Sequence, residues 1–203
     1  MVVTRARARA ILGAAALVAL AACAGTQPGD PLEPPALLGD FRLGHNIVVA
    51  DEAQKLPPSR KATADEWEAA VKTEVERRFG RYEGEKIYHI GVRVDGYALA
   101  VPGIPIILSP KSALVFTVNI WDDAAGQKLN AKPEQIAVLE SVTGKTLVGS
   151  GLTRSREEQM QDLAQNAAKA IERWLVKNRA DWFGQEEPEP VAEEAAAGGG
   201  EDA

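Results

Sequence analysis

The chain has 203 residues, of which 45% are hydrophobic, 26% charged and only 5% aromatic. That is ordinary globular composition, sized for one domain with appendages. Its 29 acids against 23 bases give a formal charge of −6, which argues against a nucleic-acid binder, because neutralising phosphates needs a surplus of Lys and Arg. One cysteine excludes an internal disulfide and a multi-thiolate zinc site, and two histidines leave little for any other metal.

Charge is unevenly spread. Residues 1–22 hold three arginines and no acid, and residues 185–203 hold seven acids and no base. The remainder, 23–184, carries 20 bases and 22 acids, or about −2. The expected folded part is therefore nearly neutral, with no strong field to steer a charged ligand.

At the N-terminus, Arg5, Arg7 and Arg9 precede an apolar run from Ala10 to Ala22. Thirteen residues fall short of the roughly 20 that span a bilayer as a helix. Basic flank and length fit a secretory signal. Leu20-Ala21-Ala22-Cys23 closes the run. This tetrapeptide resembles the lipobox of bacterial lipoproteins. The resemblance implies cleavage between Ala22 and Cys23 and acylation of Cys23, palmitate included. A plain secretory signal with a coincidental cysteine is the alternative. Ala24, where enteric inner-membrane lipoproteins carry Asp, implies transfer to the outer membrane, with the domain on the periplasmic side. Two or three acyl chains would make release very slow, since each buried CH₂ contributes about 0.8 kcal/mol.

Residues 24–40 contain four prolines and no periodicity, and read as a tether that spans roughly 23 Å if flexible or about 50 Å if polyproline-like. Phe41 to Ala50 reads as a strand. Thr63-Ala64-Asp65-Glu66 is a capping box. It opens a helix to Phe79 whose stripe is Trp67, Ala70, Val71, Val75 and Phe79, stopped at Gly80. Glu68–Lys72 and Glu74–Arg78 have the spacing of exposed helix ion pairs. Lys86–Asp95 alternates, with Tyr88, Ile90, Val92 and Val94 on one face and His89, Arg93 and Asp95 on the other. Ser112–Trp121 repeats the pattern with Leu114, Phe116, Val118 and Ile120. A turn at 122–126, a strand over Gln135–Val142 and a shorter strand over Thr146–Leu152 follow. Ser155-Arg156-Glu157-Glu158 is a second capping box. It starts a helix to Lys177 with Met160, Leu163, Ala164, Ala167, Ile171, Trp174 and Leu175 inward, and Trp182-Phe183 anchors its end. Residues 185–203, rich in Glu, Pro, Ala and Gly, have almost nothing to bury and should be disordered.

One apolar and one polar face per strand suits an antiparallel sheet covered on one side. The expected fold is α+β, a two-layer sandwich of about four strands with two helices on one face. It forms a single periplasmic domain over 41–184. The succession resembles small envelope lipoproteins, among them auxiliary lipoproteins of ABC-type transport systems and penicillin-binding-protein activator lipoproteins. The pieces that carry it are Cys23, the tether 24–40, the helix 64–79, Val92-Arg93-Val94, the turn from Asp122 to Gly126, and the helix 156–177. The resemblance implies a non-enzymatic accessory of a larger envelope assembly.

Catalytic and cofactor motifs fail on spacing. Gly144-Lys145-Thr146 lacks the glycine a phosphate-binding loop needs at position 139, which is Leu. Gly149-Ser150-Gly151 is not a nucleophile elbow. His45 and His89 could approach if their strands paired, but Asp95, as a third ligand, would lie roughly 20 Å from His89 along the strand. No cofactor, metal or enzymatic activity is expected.

Val101 to Pro110 resists a bland explanation. Val101, Ile104, Ile106, Ile107 and Leu108 sit among three prolines, which oppose a central strand. Either the segment folds back over the core or forms an edge strand, or it is an apolar lip for a partner or membrane. The expected role is protein–protein contact at the envelope, with an unidentified envelope protein as partner besides the membrane. The alternative is a carrier or binding module for a lipid or other apolar ligand, which would need a cavity under the sheet.

Overall fold

A computed structural model of the chain describes residues 33–102, 112–141 and 153–184. Among these the elements run β1 (Arg42–Val49), β2 (Gln54–Lys55), α1 (Ala64–Phe79), β3 (Ile87–Ala98), β4 (Ala113–Asp122), β5 (Gln127–Lys128), β6 (Glu134–Leu139), α2 (Arg156–Lys177) and α3 (Arg179–Phe183). The protein is a two-layer α+β sandwich.

Strands β1, β3, β4 and β6 are successive neighbours, and the two-residue β2 and β5 pair with β3 and β4 respectively. The β3–β4–β6 part is antiparallel, as alternation suggested. The sheet as a whole is mixed, because β1 and β2 both pair with β3 in parallel. Parallel neighbours need a crossover, and α1 is that crossover. The expected strand over Thr146–Leu152, with Gly144-Lys145-Thr146 and Gly149-Ser150-Gly151, lies outside the described residues.

The helices lie on one face, α1 over β1 and α2 over β6 and β4. Both capping boxes form: Thr63 and Ser155 accept from the amides of Glu66 and Glu158, whose carboxylates reach back. Trp67, Val71, Val75 and Phe79 from α1, and Leu163, Ala164, Ala167, Ile171 and Leu175 from α2, are fully buried against Ile90, Val94, Phe116, Val118 and Ile120. The alanines let α2 approach the sheet closely. At one end of this core, Phe41 stacks on Tyr88 at 5.3 Å, and Phe183 meets both edge-on. The chain is already buried at Leu38, within the expected tether.

Two expected helix ion pairs form differently. Glu68 accepts the Ala50 amide at the end of β1 (2.9 Å) instead of pairing with Lys72. Glu74 pairs with Arg77 at 2.8 Å, while Arg78 is buried and reaches Glu172 on α2 at 2.5 Å. Neither expected partner takes into account what packs beside α1. Close to α2, Arg78 gains a charge-assisted bond that solvent does not screen.

A second buried charge cluster ties the end of β6 to α2. Arg154 lies 2.8 Å from Glu140 and 3.7 Å from Asp162, and the Ser141 amide donates to Asp162 at 2.7 Å. Burial, the dominant influence, pushes the Asp162 carboxyl above its ordinary value despite these partners.

Candidate interaction face

Among the described residues, no helix lies over the other face of the sheet. Strand parity puts His45, Ile47 and Val49 of β1 there, then His89, Gly91, Arg93 and Asp95 of β3. Val115, Thr117, Asn119 and Trp121 of β4 follow, then Gln135, Ala137 and Leu139 of β6. Ile47 and Leu139 are each 59% exposed and Trp121 is 39% exposed. These apolar groups occupy the margins. Across the centre runs a polar line: Asp95 accepts from Arg93 (2.7 Å), Thr117 (2.6 Å) and Gln135 (3.2 Å). Burial opposes ionisation of Asp95, but these donors outweigh it and hold the carboxyl below its ordinary value. Asp95 sits at an irregularity between Val94 and Gly96, so Tyr97 returns to the inner side, where its hydroxyl donates to the Ala62 carbonyl.

His45 and His89 do meet, ring centroids 4.8 Å apart. The third group is Asp123, not Asp95. His89 Nε2 lies 2.9 Å from Asp123 Oδ1, and Nδ1 accepts the His45 amide at 2.8 Å. That network places the ring proton on Nε2 and leaves neither nitrogen free as a ligand. Among the described residues no group of three His, Cys, Asp or Glu is placed to hold a metal. Gly44 permits the packing: a Cβ there would lie 2.5 Å from His89 Nδ1. Asp123 belongs to the expected turn, where the Ala125 amide bonds Asp122 (2.9 Å) and Gly126 takes a φ of +62° that favours glycine. Lys128 stands 5.3 Å over the Trp121 ring.

Of the sequence-predicted contact surface, Val101 is half-buried, while Ile104, Ile106, Ile107 and Leu108 lie outside the described residues, as do Ala22 and Cys23. The segment's two ends are held together, since the Ala100 amide donates to Ser112 Oγ at 3.1 Å. They lie beside Leu139, which pairs with Ala113. Ile47, Val49, Trp121 and Leu139, exposed on this face, were not among the expected candidate contact residues. The signal was present, because each has the parity opposite to an inner-face neighbour.

On the helix side, a groove of about 400 Å³ lies between the N-terminal halves of α1 and α2, lined by Ala69, Ala70 and Met160. The Glu66–Arg156 pair at 2.6 Å also lines it. No helix among the described residues is long and apolar enough to cross a membrane.

No protein-family model matches the chain, and no curated protein matches it. Solved structures do. A Xanthomonas campestris protein, XCC0632 of the family DUF330, is similar at 13% identity and a TM-score of 0.44, covering 77% of this chain and 97% of its own. PelC from Paraburkholderia phytofirmans, a dodecamer, is similar at 9% identity and a TM-score of 0.32, over 66% of this chain and 93% of its own. A minor lipoprotein from Acinetobacter baumannii is similar at 17% identity and a TM-score of 0.31, over 70% of this chain and 97% of its own.

Proposed function

We propose that the chain is a lipoprotein anchored to the outer membrane through Cys23. Its periplasmic domain is a non-enzymatic interaction module of an envelope assembly. The anchor reading rests on Leu20-Ala21-Ala22-Cys23, with the chain's only cysteine at the cleavage position. The interaction reading rests on one observation: the described residues leave a whole sheet face uncovered, with Ile47, Val49, Trp121 and Leu139 exposed around a polar centre. That mixture of apolar rim, aromatic group and satisfied polar groups suits a protein partner.

The carrier alternative needs space between sheet and helices. Trp67, Phe79, Phe116, Ile120, Leu163 and Ile171 fill that layer, each fully buried, so the packing speaks for an interaction module.

Two experiments test the reading. Cys23→Ser should leave unprocessed precursor or soluble material; fractionation with the outer membrane like the parent overturns the anchor. A photo-cross-linking residue at 121 or 139 of the lipidated protein should capture one envelope protein, and the same residue at 161 on the helix side should not. Equal capture from both sides overturns the assignment of the face.

A further inference from the structure

We propose that the outward face of the C-terminal half of α2, with Trp174 and Trp182 beside it, rests on an anionic lipid surface, so that the open sheet face points away from the membrane. This rests on the lipid-anchor reading of Cys23.

The two long helices run parallel: Glu66 meets Arg156 near both starts (2.6 Å) and Arg78 meets Glu172 near both ends (2.5 Å). Flanking that second contact, Lys169, Arg173 and Lys177 recur at every fourth residue of α2 and form one solvent-facing stripe, with Lys169 partly exposed and the other two exposed. The one acid in this half of the helix, Glu172, is buried and occupied by Arg78, Arg81 and the Tyr82 hydroxyl, so it does not neutralise the stripe. Among the described residues, Glu33 lies 3.9 Å from Lys169, and exposed Asp181 follows α2 in sequence. Trp174 and Trp182, both half-buried, pack edge to face at 4.9 Å. Lysines and arginines drawn to anionic headgroups, with indoles at the interfacial level, are the usual chemistry of a membrane-resting surface.

The direction of the chain selects the occupant. Glu33 lies against this same region: its carbonyl accepts from Arg81 and its carboxylate faces Lys169. Cys23 is ten residues upstream, a reach of at most about 35 Å. The anchor therefore approaches the domain from the helix side, where the basic stripe is, and the exposed sheet residues lie across the sheet from it.

The test uses the full lipidated protein in vesicles with brominated acyl chains, made of phosphatidylcholine alone or with phosphatidylglycerol, and reads flotation and tryptophan fluorescence. Flotation in both, with quenching only in the phosphatidylglycerol vesicles, is expected. Quenching should be lost in the Trp174→Phe/Trp182→Phe variant and kept in Trp121→Phe. It should also be lost in the surface variant Lys169→Gln/Arg173→Gln/Lys177→Gln, which keeps the parental melting temperature. Failure to float overturns the anchor reading and this proposal with it. Flotation without quenching, or quenching that depends on Trp121, overturns the proposal alone. Quenching that appears only after removal of 185–203 also overturns it, and assigns the stripe to the acidic tail.

Discussion

Along β4, Leu114, Phe116, Val118 and Ile120 are fully buried beneath the helices, while Val115, Thr117, Asn119 and Trp121, each one position away, line the open face. Both sets belong to one strand and share its backbone hydrogen bonds. They differ in what the second layer does. The inner set is wholly apolar and takes part in a close-packed core, where volume and shape matter to the methylene. The outer set has a polar centre that already satisfies itself through Asp95, Thr117 and Gln135. Covering that centre would gain little and would strip water from Arg93. The apolar set calls for a second layer and the self-satisfied polar centre does not, so among the described residues the helices cover one face alone.

The contrast is broken most strongly at Phe116. Phe116→Ala should cost about 3–5 kcal/mol, while Trp121→Ala, five residues along on the open face, should cost well under half as much. Urea denaturation of the pair measures the difference, and equal losses would mean that the open face is covered.

Glycines give the next test. A Cβ on Gly84 would lie 2.3 Å from the Phe41 backbone nitrogen, whereas a Cβ on Gly91, on the open face, meets nothing within 4 Å. Gly84→Ala should destabilise by about 1–3 kcal/mol through overpacking. Gly91→Ala should stay within about 0.5 kcal/mol of the parent, and denaturation midpoints compare the two directly. Smaller again is the capping box of α1: Thr63→Ala should lower stability by about 1 kcal/mol, read as a shift in melting temperature.

Two carboxylates separate the two regions by pH. Asp95, on the open face, is held below its ordinary value by its donors, so it stabilises the fold above the unfolded value and this contribution is lost as pH falls through the folded one. Asp162, within the buried cluster, is raised by burial. The folded state then binds its proton more tightly than the unfolded chain does, and stability falls as pH rises from the unfolded value through the raised one. Asp95→Asn should therefore flatten the acid-side loss, and Asp162→Asn should remove a loss on the opposite slope. Melting temperatures across pH 3–7, a range set by the ordinary carboxylate value of about 4, check both signs. The smallest stability effect belongs to Ile47→Asp, within about 0.5 kcal/mol, with loss of partner cross-linking as its readout.

Much of this was legible in the linear chain, because the signals are local. Each capping box needs only four neighbouring residues, and α1 and α2 start where Thr63 and Ser155 put them. Period-two alternation assigns Tyr88, Ile90, Val92 and Val94 inward, and by the same rule assigns Trp121 and Leu139 outward. Hydrophobic burial near roughly 25 cal/mol per Å² rewards the whole pattern at once, so one misplaced residue does not change it. The candidate site is harder to read: the apolar density of 101–110 stands out in the sequence, while the exposed apolar residues of the sheet are single side chains spread over three strands.

The tertiary structure alone decided which partners meet. Nothing in Arg42–Val49 says that it pairs in parallel with β3, since pairing direction depends on where α1 returns the chain. Spacing along α1 matched Arg78 to Glu74, but its guanidinium has the reach to find Glu172 94 residues away. His89 met Asp123 across a strand pair rather than Asp95 along its own strand. Periodicity is a property of neighbouring residues, and it determines which face each side chain occupies. Ion pairs, strand direction and the uncovered face depend on distances between separate elements, which exist only once the layers have packed.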